Sequence, residues 1–504
     1  MTSWLKHQPG ADPIVLFKKV LPLFAHVFTM QFGAASLDQS NGIAAGVCIN
    51  TMEGGFHSRK ISMNLATLLG QSFMEQYGKI LLIAMPAFLV LVLLEKLYGW
   101  YRGNDTVSNI DMISSLTSGV TNVTKDVLGL TFVILSYGWI MNYIALIHIQ
   151  ATWLIYLVAF IAIDFTGYWV HRIDHKINFF WNSHIIHHSS EEFNLACALR
   201  QSVSVFFRIF SFFMLPAALL GVPTIVIATV LPLHLFAQFW YHTRHINKMG
   251  FLEKIIVTPS HHRVHHALNK EYIDKNLGQI LIIWDKMFGT FQEELPDVPP
   301  VYGITRPVRT WNPIKINFQH MWLMATDAFH AKDWKDKFRI WFMPTGWRPD
   351  DVAGKYPVYK IEDVYNFEKY KTSYSTLFLT WSWVQLIALL LFISYLFGNL
   401  AKIGSPNMYY YGAFVFVYVY AFTEMLDRNK YAFAWEILKA ICGIGLIYWK
   451  GDWFGASAYV SWSNYAFIAF FVISAFVSSL FTVRQMPSGF SSLNSSGNNS
   501  LGQF

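Results

Sequence analysis

Apolar residues in this chain are gathered into unbroken runs, the pattern of helices that face lipid all round rather than the one-sided stripe of a helix on a soluble core. Runs at 80–94 (extendable to 98), 127–147 and 153–170 come first, and a second block follows at 377–396, 409–422, 432–449 and 466–481. A helix needs about 20 apolar residues to cross the hydrocarbon layer, so these runs predict spans once their flanks are counted. Between the blocks, 203–240 has the length of a tight pair of spans hinged near Pro216, Gly221 and Pro223, which returns the chain to the side it left. Residues 14–48 are apolar but interrupted, and fit either a short span or a re-entrant piece. The stretch 301–349, with WNPIK, DAFHAKDWKDKFRIWF and PTGWRP, mixes Trp, Phe, Lys and Arg in short helices that suit the membrane interface. The fold class expected is therefore all-α: a polytopic integral membrane protein with interfacial helices.

Composition agrees. Hydrophobic residues make up 54% of the 504, aromatics 17% and charged residues only 14%, against about 25% charged in a soluble domain. The formal charge of +7 comes from scattered Lys and Arg with no basic arm, which excludes a nucleic-acid partner as its explanation. Three cysteines, Cys48, Cys197 and Cys442, imply neither a disulfide framework nor a thiolate site. The N-terminus lacks the apolar run and cleavage site of a secretory signal, and the N-x-[ST] sequences at Asn104, Asn122, Asn494 and Asn498 carry little weight. No dinucleotide or Walker fingerprint follows a strand, so NAD, flavin and ATP domains are not expected. The pattern divides the chain into an N-terminal membrane region (1–107), a catalytic domain (108–300), an interfacial and soluble segment (301–374), a C-terminal transmembrane block (375–485) and a disordered tail (486–504).

The candidate chemistry lies in one place, for 12 of the 18 histidines fall between His171 and His266. HRIDH sets His171 and His175 four apart. HIIHH sets His184, His187 and His188 at spacings of three and four, and HHRVHH repeats that with His262, His265 and His266, His261 lying about 100° round the helix. Residues at i, i+3 and i+4 share a helical face. Three such segments offer eight imidazoles, too many for one zinc and enough for two ions with open positions. Imidazole suits iron, zinc, copper and nickel alike; a lipid-facing site with open positions favours iron and oxidative attack on C–H bonds. His242, in FWYHTRH just past the 203–240 hairpin, is a candidate ninth ligand. His234 and His245, and the isolated His7, His26, His57, His148, His320 and His330, read as surface or hydrogen-bonded residues. Asp164, inside the 153–170 run and two turns before His171, needs a partner there, structural or beside the metal. Arg172, Lys176, Arg244, Lys248, Lys254, Arg263, Lys270, Lys275 and Lys286 flank the histidines and place the site on the cytoplasmic face.

The three groups HRIDH, HIIHH and HRVHH resemble the eight-histidine pattern of the fatty acid hydroxylase and sterol desaturase superfamily of membrane non-haem di-iron enzymes. WNSHIIHHSSEEFNLACALRQS, FWYHTRHIN, TPSHHRVHHALNKEYIDKNLGQILIIWDKMFGTFQEE and YGITRPVRTWNPIKINFQH are similar to its ether-lipid-cleaving branch, most strongly over 108–349. The resemblance implies two iron ions on His171, His175, His184, His187, His188, His262, His265 and His266, with His242 matching a further histidine of that branch. It also matches Glu191, Glu192, Asn194, Asn269, Asp274, Asn276 and Asp285, polar residues expected to serve the catalytic site, several by holding ligand imidazoles; for Asp285, a turn role is the rival. The implied reaction is a monooxygenation by O2, with tetrahydrobiopterin as electron source, that cleaves an alkylglycerol ether to a fatty aldehyde and a glycerol derivative. The alternative within the superfamily is a fatty acyl or sterol hydroxylase or desaturase fed by a separate electron-donor protein; a zinc-stabilised transporter or scaffold is the non-enzymatic one. Partners implied are a membrane lipid, O2 and the reduced pterin or its recycling enzyme, with no pterin-contacting residue assigned. A homodimer through the membrane helices is left open. The location is the endoplasmic reticulum in a eukaryote or the inner membrane in a bacterium.

Overall fold

The structure, a computed structural model, describes residues 57–129, 131–204 and 214–483. Contacts divide the chain into Met1–Thr67 and Leu68–Phe504; of the first unit only the opening turns of helix α1 (His57–Tyr101) are described. The expected membrane piece at 14–48 and the tail at 486–504 lie outside the described residues, as do His7, His26 and Cys48.

The second unit is helical, and among the described residues strands are absent, with only isolated bridges such as Ile177 to Pro344. Among the described residues five helices are long and apolar enough to cross a membrane: Gly78–Tyr101, Trp153–Lys176, Thr376–Gly398, Ala432–Lys450 and Ser463–Thr482. A multi-pass membrane protein is therefore what this chain builds.

Not every helix coincides with an apolar run: most of the polar stretch 101–123 forms α2 (Asn109–Gly129). Its Ser114, Ser115, Thr117, Ser118, Thr121 and Thr124 are buried. They are tolerated because their hydroxyls bond backward along the helix, as Thr117 to Ser114 O (2.7 Å) and Thr124 to Val120 O (2.7 Å), or across to Trp311 O from Ser114 (2.7 Å). Next, the helix on the apolar run 127–147 stops before the run does, with α3 (Thr131–Ile144) ending at Ile144. The second limb of the 203–240 hairpin, Thr224–Phe236, has only 13 residues, about 20 Å at the usual rise and short of a crossing. The expected hinge is present, with Gly221 at φ +63° where a Cβ would meet Ile147 O at 1.9 Å.

The elements that place the histidines are α4 (Trp153–Lys176), α5 (Asn178–His188) and α6 (Thr224–Phe236). α4 begins at Thr152, whose side chain accepts from Ile155 N. α4 and α5 meet in an elbow at Ile177, held extended at φ −122°, ψ 126°. Asn178 N and Phe179 N donate to Met343 O and Trp341 O (3.0 Å each), so the elbow is pinned to the segment 341–343. α6 packs on α4, joined by the buried pair His234 and Asp164 (2.8 Å).

The remaining helices form the support. α9 (Pro313–His330) lies on α5; α10 (Thr376–Gly398), α11 (Asn407–Leu426), α12 (Ala432–Lys450) and α13 (Ser463–Val483) make a bundle, and α10 and α11 pack on α2. One hydrophobic core joins Val107, Ile113 and Val120 to Phe378, Leu389, Tyr418, Trp453 and Phe471. Two short helices, α7 (Pro259–His265) and α8 (Ile283–Phe288), complete the site.

Candidate metal centre

The last turn of α4, all of α5, the turn after α6 and the length of α7 converge, and with them nine imidazoles. They fall into two groups in which one nitrogen from each ring lies within 4.8 Å of the others: His171, His175, His184, His188 and His265; and His187, His242, His262 and His266. Each of α5 and α7 serves both groups. His184 and His188, four apart, turn one way, and His187 turns the other; His262 and His266 pair likewise while His265 crosses over. Helical azimuth explains this, since i and i+4 nearly superpose whereas i+3 sits about 60° aside.

The rings show what the groups can hold. His171 Nδ1 lies 2.8 Å from Leu277 O, His265 Nδ1 3.0 Å from Lys275 O, His187 Nδ1 3.3 Å from Arg200 O and His242 Nδ1 3.0 Å from Gln238 O. A carbonyl only accepts, so in these four rings the proton is on Nδ1 and the Nε2 lone pair is free. Yet Nε2 atoms face each other at 2.9 Å (His171 and His184), 3.0 Å (His184 and His188), 2.8 Å (His242 and His262) and 3.1 Å (His187 and His266). His175 Nε2 and His265 Nε2 are buried with no hydrogen-bond partner. Lone pairs all aimed at one point would repel unless a cation lay between them, and these two foci of nitrogen fit two metal ions. Burial first, then the other imidazoles, holds His184, His188, His242, His262 and His266 well below the ordinary imidazole range, and burial brings His187 down to about 4. Neutral imidazole is the form that ligates.

The segment 274–278 works as a strap for the five-histidine group. Asp274 Oδ1 lies 3.3 Å from His175 Nδ1 and its Oδ2 accepts from Lys176 Nζ (2.6 Å). Lys275 and Leu277 supply the carbonyls for His265 and His171. The strap is bent by Asp274 at φ 60° and Asn276 at φ 52°, a left-handed conformation that Asn and Asp enter more readily than other side chains. Asn276 Nδ2 donates to His261 O and Gln292 O, and Asp285 accepts from Leu277 N (2.7 Å), Gly278 N (2.7 Å) and Thr290 Oγ1 (2.6 Å).

The other residues singled out by resemblance stand further away. Asn194 caps the turn 194–197 and reaches Thr106 O, and Asn269 bridges Pro299 O, Val301 N and Tyr365 OH. Glu191 accepts from Tyr370 N (2.6 Å), and Glu192 pairs with Arg244 and Lys369. Of the seven, the hydrogen bonds put only Asp274 on a ring of the two groups. Asp164 is a structural partner: it accepts from His234, Ile280 N, Leu281 N and Trp284 Nε1, pinning the loop that leads into α8. His261 leaves the cluster for Glu253 (3.1 Å), His245 meets Thr106 and His320 meets Asn178 O. The residues missed in the sequence are Arg200, Gln238, Lys275 and Leu277, which act through main-chain carbonyls and so carry no side-chain signature.

Comparison with known proteins agrees with this geometry. The fatty acid hydroxylase family model matches residues 156–290, which contain all nine rings. The chain is similar to alkylglycerol monooxygenase of Homo sapiens, 34% identical over 365 residues, covering 71% of this chain and 80% of that protein. It is also similar to alkylglycerol monooxygenase of Xenopus tropicalis (37% over 264 residues, 52% and 58%) and to an ornithine lipid hydroxylase of Rhizobium tropici (28% over 153 residues, 30% and 46%). No solved structure matches.

Proposed function

The chain belongs to the alkylglycerol monooxygenase family within the fatty acid hydroxylases, and from that premise we propose that it is a di-iron monooxygenase opening the ether bond of alkylglycerol lipids with O2 and a reduced pterin. The observation that carries the reading is the pair of adjacent imidazole foci beside helices that cross the membrane. Two ions held by His171, His175, His184, His188 and His265 and by His187, His242, His262 and His266 would supply the activation of O2 that no side chain can perform.

The protein's own part is to position and to exclude. Nδ1 contacts to Leu277 O, Lys275 O, Arg200 O and Gln238 O fix four tautomers, so four Nε2 atoms stay available without reorganisation. Phe193, stacked over His242 and Tyr302, and Tyr241, 4.2 Å from the His262 ring centre, wall the four-histidine group against water. The carbon beside the ether oxygen gains a hydroxyl from one O2 atom, the other atom leaves as water, and the pterin supplies two electrons. The resulting hemiacetal separates into aldehyde and glycerol derivative. Exposed Trp322, Phe329, Trp334, Phe338 and Phe342 support a seat at the lipid interface for 313–342, and Arg172, Lys176, Lys275 and Lys286 beside the site support a cytoplasmic orientation.

The test is turnover. Iron-loaded protein mixed anaerobically with 1-O-alkylglycerol and tetrahydrobiopterin, then exposed to oxygen, is expected to release fatty aldehyde in proportion to pterin. Oxygen-dependent hydroxylation of a lipid chain without aldehyde, supported by a protein electron donor, would replace this reading with the acyl or sterol hydroxylase one.

A further inference from the structure

The strap 274–278 braces the five-histidine group, and helix α1 reaches the four-histidine group through one acid. Glu95 lies within the apolar helix Gly78–Tyr101 and is 7% exposed. An ionisable side chain in such a place is costly unless it has partners. Both of its oxygens are taken: Oε2 accepts from Leu195 N and Oε1 from Thr243 Oγ1, each at 2.6 Å.

Those two donors belong to the segments that wall and ligate the four-histidine group. Leu195 follows Phe193 by two residues, and the Phe193 ring centre lies 5.8, 6.0 and 5.2 Å from those of His242, His262 and His266. Thr243 follows His242 directly. Its carbonyl accepts from Arg263 Nη1 (3.2 Å), and Arg263 stands on α7 beside His262, anchored by Glu294 (2.7 Å). A path of hydrogen bonds thus runs from α1 through Thr243 to the helix that carries His262. The chain after α1 repeats the link, since Thr106 O accepts from Asn194 Nδ2 (2.9 Å) and Arg244 Nη2 (3.3 Å). Two acceptors on one planar carboxyl fix the spacing of the segments they hold, and such supports behind ligand imidazoles govern metal affinity.

We propose that Glu95 is a positioning residue of the metal centre: its carboxyl holds the Phe193 turn and the His242 segment together, and so sets how tightly the four-histidine group binds its ion. The inference rests on the reading that both imidazole groups hold iron. It adds that each group has its own support, Glu95 for one and the strap for the other, so that the two ions can be loosened independently.

The experiment reads metal rather than turnover. Full-length iron-loaded protein in lipid nanodiscs is washed with graded chelator, iron per chain is counted, and Mössbauer spectra are taken of the iron that stays. Glu95→Leu removes both acceptors and keeps the helix apolar; Thr243→Val keeps its residue's shape and Glu95 itself, and answers the question if Glu95→Leu does not fold. Lys96→Met is the control, because it cuts the neighbouring tether from α1 to Val107 O (2.5 Å) and Asp105 without touching 195 or 243. Glu95→Leu and Thr243→Val are each expected to release one iron at an about tenfold lower chelator concentration than the wild type, and Lys96→Met to match the wild type. The iron remaining in the first two should give the signal that Asp285→Asn, which loosens the strap, loses first. Wild-type retention in folded Glu95→Leu or in Thr243→Val, equal loosening in Lys96→Met, or loss of the same signal as in Asp285→Asn overturns the proposal and leaves the function standing. A wild type that takes up no iron overturns both.

Discussion

Asp285→Asn perturbs the strap without touching a candidate ligand. The carboxylate holds two main-chain N–H groups, Leu277 and Gly278 at 2.7 Å each, and the Thr290 hydroxyl at 2.6 Å. The amide keeps the shape but offers one acceptor oxygen, so its NH2 must face one of the two N–H donors. An orphaned buried N–H costs about 1–3 kcal/mol, and loss of charge weakens the remaining bonds by about a further 1 kcal/mol each. With the amide oxygen kept on Leu277 N and Thr290 Oγ1, the N–H released is that of Gly278, on the peptide formed by the Leu277 carbonyl that accepts from His171 Nδ1, and removal of such a support typically lowers metal affinity about 10–100-fold. There is little room to relax, since a Cβ at Gly278 would already lie 2.7 Å from Asp285 Oδ2. The assay is iron retained per chain against a graded chelator, with circular dichroism to show that helix content is kept. We expect one iron to be lost at a tenfold or greater lower chelator concentration than in the wild type. Folded Asp285→Asn protein with wild-type retention would refute the strap as the support of the five-histidine group.

The remaining predictions concern the rings and their frame. His187→Ala and His265→Ala, one from each group, should each lose iron and activity together, whereas His320→Ala should keep both and lose about 1–3 kcal/mol of stability through its buried bond to Asn178 O; iron content with thermal denaturation separates the cases. Asp164→Ala strands His234, Trp284 Nε1 and two main-chain N–H groups, so expression of folded protein should fall before any metal effect is seen, checked by gel filtration in detergent. Acid should strip the site: His187 is held neutral down to about 4 in the fold, against about 6.5 when unfolded, so the unfolded chain binds the extra proton and stability drops as pH falls from about 6.5 towards 4. Metal release followed between pH 7 and 4 tests this, and release independent of pH in that window contradicts it.

What the sequence disclosed, and what it hid, follows from where the information sits. Long apolar runs at 80–94, 153–170, 377–396, 432–449 and 466–481 announce spans because lipid forbids anything but closed helical hydrogen bonding there. The histidine spacings announce shared faces, and all nine rings are brought together. The division into five and four is not visible in spacing alone, because it depends on how α5 and α7 are rotated against α4. The helix at 109–129 is hidden because Ser and Thr look like loop residues until their hydroxyls are seen bonding to backbone. The largest omission is the strap: main-chain carbonyls of Lys275 and Leu277 do the work for which acidic side chains stand out in the sequence.

The central claim is that two foci of imidazole nitrogen hold two irons. Iron K-edge absorption on the loaded chain, together with metal counting, tests it most directly. Two irons per chain, with a histidine-nitrogen shell and iron–iron scattering that vanishes in His187→Ala, is the predicted result; a single metal per chain, or a shell unaltered by that substitution, would contradict it.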